Sequence, residues 1–549
     1  MMNRLLIHSL LALIVCLGFL APDFILQYFI PAVKTIFSIR FALIIYALSW
    51  FLISCNKYFR YFIFFIFFTA QSIELFYIAY FGGPIGIIEA KKIFIEVEDI
   101  CESGFAHWRD VYIVAPVLII SYALPLLAIC RFHRYILKVP FAFFMVLVAL
   151  LIQPFRAVKS NLIWVFYPNS TKHSLYNGIN LLSSTYFLYS KNITSKSYKP
   201  YSLKFNQPIA DNIVLIFGES CNYPNMSLYG YERKTTPYLD SLKNDSNFAY
   251  KKGISGAVAT VVAMPTFFSL MREVANVDHV TSNKANLFRF AKKQGFYNFW
   301  ISNQRASLMT SYAGMNYIDH VFSRDSMNQG FTTTSDKVLV EQLKQLQLKD
   351  KNFITLHQRN IHTPYDKNYS KDCPQCSVYP AMPDNRKQNV INLYDNAMIY
   401  DDMIWREIIE FCKSNFKGTT YIILTSDHAE ALGAKDMSGN ELYSHHHMHQ
   451  VVTKVPFVIY AINDKNNIIE QVKQFPEYIA HYEIGHLIAH LMGVEIINPN
   501  IQSDALENNT LEDIFYVHAD VFNNYRYLKV KRNGDTVRFF DQGGKEIVE

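Results

Sequence analysis

The sequence predicts an α-helical membrane domain of five spans followed by an α/β domain on a doubly wound, mainly parallel sheet. Three observations lead there. The chain has 549 residues, too many for one ordinary domain. It is 51% hydrophobic and 15% aromatic, and almost all of its long apolar runs fall before about residue 158. After Pro208, apolar strand patterns alternate with helical ones, the mark of a parallel sheet covered on both faces. The expected boundaries are 1–158 for the membrane part, 159–207 for a membrane-proximal connector and 208–549 for the α/β domain.

A spanning helix needs roughly 20 mainly apolar residues. Five stretches approach that length: Leu5–Phe29, Ile36–Cys55, Tyr61–Phe81, Val111–Cys130 and Val139–Pro154. Arg4 and the apolar run behind it also suit a signal peptide, but no small-x-small cleavage site follows and four further spans do. The first stretch is therefore read as an uncleaved helix. Lys and Arg set the orientation. Arg4 precedes the first span, Lys57 and Arg60 lie between the second and third, and Arg131, Arg134 and Lys138 lie between the fourth and fifth. The loop Gly82–Asp110 is richer in acid, with Glu89, Glu96, Glu98, Asp99 and Glu102. The N-terminus is expected inside, and five spans then put the α/β domain outside, which in a bacterium is the periplasmic side of the inner membrane.

The net charge of +6 is modest, and no concentrated basic tract argues for nucleic acid. Of the eight cysteines, Cys16, Cys55 and Cys130 lie in or beside spans, where a small apolar role suffices. Cys373 and Cys376, in "KDCPQCSV", lie in a polar loop on the outer side, where a disulfide is expected. A zinc knuckle needs a second pair of this kind, and there is none. Cys101, Cys221 and Cys412 have no assigned role.

In the outer part, "NIVLIFGES" (Asn212–Ser220) reads as a buried strand ending in polar residues. "TPYLDSLKN" reads as a helix opened by Thr236 with Pro237 at its first position. "NLFRFAKKQG" is a helix with a Gly stop, followed by the strand "YNFWIS". "KVLVEQLKQLQL" is an amphipathic helix before the strand "NFITLHQ", and "NLYDNAMIYDDMIWREIIEFCK" a long one before "TYIILTSDH". "YLKVKRNGDTVRFFD" is a hairpin around Asn533-Gly534.

Ligands of such sheets bind beyond the carboxyl ends of the strands. Three strands end in chemically useful groups: Glu219, His357 with His362, and Asp427 with His428. Taken singly, each has a bland reading as a capping or solvated residue. On one sheet edge, they make a candidate site for a divalent ion. Thr260, in "GAVATVVAMPTFFSLM", falls at a helix start, where its hydroxyl is either an N-cap or a nucleophile activated by a metal and favoured by the helix dipole. "SHHHMHQ" carries His445, His446, His447 and His449, four histidines in five residues. Each alone reads as a loop imidazole; with His362 they could face a phosphate or a second metal.

"VLIFGESCNYPNMSLYGYERKTTPYLDSL", "ATVVAMPTFFSLM", "YNFWISNQ", "HQRNIHTPY", "YDNAMIYDDMI" and "LTSDHAEALG" occur in that order. Together they resemble the phosphoethanolamine transferases of bacterial envelopes, in the alkaline phosphatase–sulfatase superfamily. The resemblance implies an alkaline-phosphatase-like outer domain and Zn2+, one ion with a possible second, on Glu219, Asp427 and His428, with Thr260 completing the metal site as the phosphoryl-accepting threonine. It puts substrate-side histidines at His362 and His445, with His446 or His447 as alternatives to the latter. It also implies phosphatidylethanolamine as donor and an envelope glycan or glycolipid, such as lipid A or the lipopolysaccharide core, as acceptor. There are departures. Gly256 and Thr266 stand where the family usually has cysteines, and Ala429 stands where a Gly usually follows Asp-His. No Cys/Ser-x-Pro-x-Arg motif, the sulfatase nucleophile signature, surrounds Thr260. Two other readings remain at this stage. One is a phosphoglycerol transferase of the lipoteichoic-acid-synthase type; the other is a non-enzymatic binding protein on a decayed fold.

Overall fold

The structure, a computed structural model, describes residues 2–30, 33, 39–81, 112–160, 173–178, 199–273, 279–280, 284–304, 314, 317–324, 335–369, 371–436, 439–445, 447–499, 514–518, 527–531 and 537–540. The acidic loop 82–110 with Cys101, most of the connector, the Asn533-Gly534 turn and His446 lie outside these residues. The chain divides into two compact units, Met1–Asn192 with Lys435–Tyr443, and Ile193–Ala434 with Ser444–Glu549.

In the first unit, helices stand at all five predicted stretches: α1 (Met2–Leu26), α2 (Ile39–Ser54), α3 (Lys57–Phe81), α4 (Val114–Phe132) and α5 (Ala142–Ser160). Among the described residues, three segments, Asn3–Leu26, Lys57–Ala79 and Val114–Tyr135, are long and apolar enough to cross a membrane; Ile39–Ser54 and Ala142–Ile152 are shorter apolar helices. The length criterion therefore carries three of the five expected spans. Gly18 lets α1 and α4 approach closely, since a Cβ there would lie 2.6 Å from the Ser121 carbonyl oxygen. A buried polar network also crosses this unit. The Asp23 carboxylate accepts from the Ser174 N–H at 2.7 Å and from Gln71 Nε2 at 2.9 Å, and Tyr122 OH donates to Gln71 Oε1 at 2.8 Å. His173 Nε2 lies 3.1 Å from the Leu20 carbonyl. Residues 173–178 are thereby tied into α1 and α3.

The second unit is organised on an eight-stranded sheet. Its strands in chain order are β1 (Asn212–Gly218), β2 (Phe248–Ile254), β3 (Tyr297–Ser302), β4 (His320–Phe322), β5 (Asn352–His357), β6 (Thr420–Ser426), β7 (Lys454–Ile462) and β8 (Tyr478–Ala480). The spatial order is β8-β2-β7-β6-β1-β5-β3-β4. β6, β1, β5, β3 and β4 pair in parallel, and β7 is antiparallel to both of its neighbours. Alternate side chains of β1 enter two different cores, Ile213, Leu215 and Phe217 on one face and Val214 and Ile216 on the other. That is why the strands read as continuous apolar runs.

Helices cover both faces. Those between the strands are α6 (Pro237–Ser241), α7 (Thr260–Phe268), α8 (Leu287–Lys293), α9 (Lys337–Gln345), α10 (Tyr365–Tyr369) and α11 (Arg386–Asn415); α12 (Ile468–Lys473) and α13 (His481–Leu491) follow β7 and β8. α7, α8 and α13 pack on the Leu215 face, α9 and α11 on the Val214 face. α8 has its expected stop at Gly295, where φ is +80°. Thr236 precedes α6 as expected, but the free N–H groups of Tyr238 and Leu239 are capped by the Asp402 carboxylate of α11, at 2.6 and 3.1 Å. Ile514–His518, Tyr527–Lys531 and Val537–Phe540 form a separate antiparallel sheet, the last two being the arms of the predicted hairpin.

Cys373 and Cys376 are joined in a disulfide, with their sulfurs 3.7 and 3.5 Å from Met403 Sδ. Changing both to serine is expected to lower the unfolding free energy by no more than about 2 kcal/mol, because closing so short a loop removes little chain entropy. Hydrogen exchange should quicken locally around the loop. A collapse of global stability in denaturant titration would contradict this.

Candidate metal centre and active site

The parallel register brings four strand ends together. Gly218 pairs with Ser426, and His357 pairs with both Phe217 and Ser302. The residues that follow or close these strands, Glu219, Asp427 with His428, His357 and Gln304, are therefore neighbours at one sheet edge. The chain turns sharply after Glu219 at Ser220, a non-glycine residue with φ of +56°. Tyr394, of the "YDN" run on α11, holds that turn. Its hydroxyl donates to the Ser220 carbonyl at 2.8 Å and accepts from the Asn222 N–H at 2.8 Å.

Asp427 is fully buried, and its two oxygens have different surroundings. Oδ1 accepts from the backbone N–H groups of Ser220 at 3.1 Å and His428 at 2.7 Å. Oδ2 has no hydrogen-bond donor and lies 3.1 Å from His428 Nε2. His428 Nδ1 is 3.2 Å from the Ala429 carbonyl, which fixes its proton there and turns the Nε2 lone pair inward. Nε2 is 3.4 Å from Glu219 Oε1.

Thr260 is the first residue of α7. The N-cap position belongs to Ala259, and the Thr260 hydroxyl makes no capping bond. It points instead to Glu219 Oε2 at 3.2 Å and His428 Nε2 at 3.3 Å.

Side-chain atoms of all four residues thus gather at His428 Nε2, which lies 3.1 Å from Asp427 Oδ2, 3.3 Å from Thr260 Oγ1 and 3.4 Å from Glu219 Oε1, while Thr260 Oγ1 lies 3.2 Å from Glu219 Oε2. Ligands about 2.1 Å from a tetrahedral zinc lie about 3.4 Å from one another, a spacing these four contacts match. The chemistry fits as well. Burial first, and then the Glu219 carboxylate, push the Asp427 carboxyl well above the usual carboxylate range. A divalent cation is the charge that lets both acids ionise at neutral pH. A second imidazole joins them: Glu219, His428 and His445 offer ligand atoms that all lie within 4.8 Å of one another.

His445 stacks on His428 with ring centroids 4.0 Å apart, and His362 lies 6.3 Å from His445. Of the other histidines in that run, His449 accepts from the Val451 N–H at 3.2 Å and caps the turn that follows. Local sequence reasoning missed Glu430, which places one oxygen 3.1 Å from His445 Nδ1 and receives the Tyr365 hydroxyl on the other. It also missed Gln304. Gln304 Nε2 donates to Glu219 Oε2 at 2.8 Å and lies 3.1 Å from His357 Nε2. His357 itself is held behind the site by Ser302, and burial pushes its pKa down to about 4, so it stays neutral. The available signal was the strand-end rule, extended to the residues just after β3.

The profile of the sulfatase family matches residues 211–494. The chain belongs to the sulfatase family. A putative transferase, YhbX of Escherichia coli (strain K12), is 30% identical over 219 residues, which is 38% of this chain and 37% of the relative. The phosphoethanolamine transferase EptA of Helicobacter pylori (strain ATCC 700392 / 26695) is 26% identical over 358 residues, 61% of this chain and 64% of the relative. The chain thus spans between about a third and two thirds of the length of these curated relatives. The integral membrane phosphoethanolamine transferase EptA of Neisseria meningitidis shares the fold: TM-score 0.54 at 16% identity, over 89% of this chain and 95% of that one.

Proposed function

We propose that this sulfatase-family chain is a membrane-anchored, zinc-dependent phosphoethanolamine transferase. It would take the group from phosphatidylethanolamine and pass it, through a phosphothreonine, to an envelope glycan or glycolipid on the periplasmic side of the inner membrane. The observation that carries this reading is the Thr260 hydroxyl, turned away from its helix cap into a nest of two carboxylates and an imidazole. Relatives named phosphoethanolamine transferases, and the match to an integral membrane protein of that activity along most of the chain, support it.

Glu219, Thr260, Asp427 and His428 would hold the zinc, which when bound lowers the hydroxyl's pKa and offsets charge on the phosphoryl oxygens. Thr260 Oγ1 bonds to phosphorus as the bond to diacylglycerol breaks, and its proton passes by way of Glu219 to the leaving oxygen. The N-terminus of α7 favours the developing charge. His445, oriented by Glu430, and His362 would contact the phosphoryl group. In the second half, the acceptor hydroxyl bonds to phosphorus, the phosphorus–Thr260 bond breaks, and Thr260 recovers a proton.

The test uses the full chain with labelled phosphatidylethanolamine. Expected are diacylglycerol release and a phosphoethanolamine adduct on the peptide containing Thr260, seen by mass spectrometry. Consumption of phosphatidylglycerol instead would mark a phosphoglycerol transferase. Turnover of neither lipid, in zinc-loaded protein, would leave a binding protein.

A further inference from the structure

We propose that His481 is a positioning residue, a neutral imidazole brace that fixes the Thr260 segment against the strand end carrying Asp427 and His428. The inference rests on the reading of those residues as nucleophile and metal centre.

His481 opens α13, directly after β8 at the far edge of the sheet. Its Nδ1 accepts from the Gly256 N–H at 3.0 Å, and its Nε2 lies 2.8 Å from the Ser426 carbonyl. These partners leave one tautomer. A backbone N–H can only donate, so Nδ1 carries the lone pair; a carbonyl can only accept, so Nε2 carries the proton. A second proton would break the Gly256 bond. Burial, the largest influence, pushes the ring's pKa down to about 3, so it stays neutral at any pH where the enzyme would work.

What the ring connects gives the bond pair its meaning. Gly256 is four residues before Thr260, and Ser426 immediately precedes Asp427. One rigid ring therefore ties the backbone leading to the proposed nucleophile to the backbone leading to two proposed metal ligands. Its own position is set by packing: Phe267 of α7 meets it edge-on at 5.1 Å, and Phe217 of β1 lies at 6.4 Å. The Gly256 segment is also held from the other side. The Gly256 carbonyl accepts from the His518 N–H at 2.9 Å, and the Val258 N–H donates to the His518 carbonyl at 3.1 Å. The donor atoms of the centre stand only a little over 3 Å apart, so a shift of about 1 Å between the two segments is enough to cost roughly a hundredfold in rate.

The test compares His481→Phe, His481→Asn and His481→Gln in the full chain. Phe keeps the flat ring and removes both bonds. Asn can keep the bond to Gly256, and Gln the bond to Ser426. The Phe variant is expected to lose about 10- to 100-fold in kcat with donor KM changed less than about threefold. Its zinc affinity should fall about tenfold, and the visible spectrum of its cobalt(II)-substituted form should change as the ligand geometry relaxes. Asn and Gln should recover part of both losses; if Phe does not fold, these two variants carry the comparison. Folded variants with wild-type kcat, zinc affinity and cobalt spectrum would overturn the brace. A wild-type protein without transfer activity would instead overturn the functional reading, and the metal affinities and spectra would still decide the brace.

Discussion

Thr260→Ala is expected to leave the fold and the metal in place while transfer falls at least about a thousandfold. The loss should be that large because a missing nucleophile is not replaced by binding energy or by the remaining groups of the site. The metal should stay because Glu219, Asp427 and His428 still supply three ligand atoms, the usual protein complement of a catalytic zinc. The helix should stay because the hydroxyl caps nothing: it faces Glu219 and His428, and Ala259 occupies the cap position. Zinc content, melting temperature and transfer rate, measured on one preparation, separate these outcomes. Near-normal transfer by the alanine variant would exclude the threonine mechanism and favour direct displacement by the acceptor.

Asp427→Ala should behave differently, losing metal and activity together. Its two oxygens do two jobs. Oδ2 faces His428 Nε2 with no hydrogen bond of its own, and Oδ1 holds the N–H groups of Ser220 and His428. On the proposed reading the alanine variant loses a ligand, and it leaves the positive-φ turn at Ser220 without one of its supports. We expect a loss of about 1–3 kcal/mol from the unpaired buried groups, on top of the metal's own contribution. The wild-type melting temperature should rise with added zinc, since a ligand that binds only the native state stabilises it by mass action. The variant's should not. A zinc-dependent rise in the alanine variant equal to that of wild type would remove Asp427 from the metal site.

How much of this was visible in the sequence depends on how local each feature is. The placement of Glu219, Asp427 and His428 at one sheet edge was legible because they follow apolar strands, and in a parallel sheet all such ends face one edge. The helices over both faces were legible from alternation alone. Thr260 was legible only as a choice between a cap and a nucleophile, and the direction of its hydroxyl settles its contacts. Gln304, Glu430 and His481 act on partners 85, 15 and 55 residues away, through hydrogen bonds that no local pattern encodes. The histidine run shows the same limit. His445 reaches the site through its stack on His428, whereas His449, four residues later, serves as a helix cap. In the membrane part, apolar runs located the helices well, but their ends, and so the number long enough to span, depend on backbone geometry.

The buried network around Asp23 bears on where the protein can be cut. Residues 173–178 follow the last apolar helix in sequence, so a fragment designed from hydropathy alone would begin just after α5 and carry them along. Their hydrogen bonds run to Asp23, Gln71 and Leu20. Separated from those partners, they would bring an orphaned His-Ser segment into the soluble half and leave a carboxylate inside the helical half with no donor from Ser174. A cut that keeps these bonds lies beyond residue 178 and ahead of the strand Ser202–Phe205, which pairs with Val494–Ile497 and belongs to the sheet-bearing half.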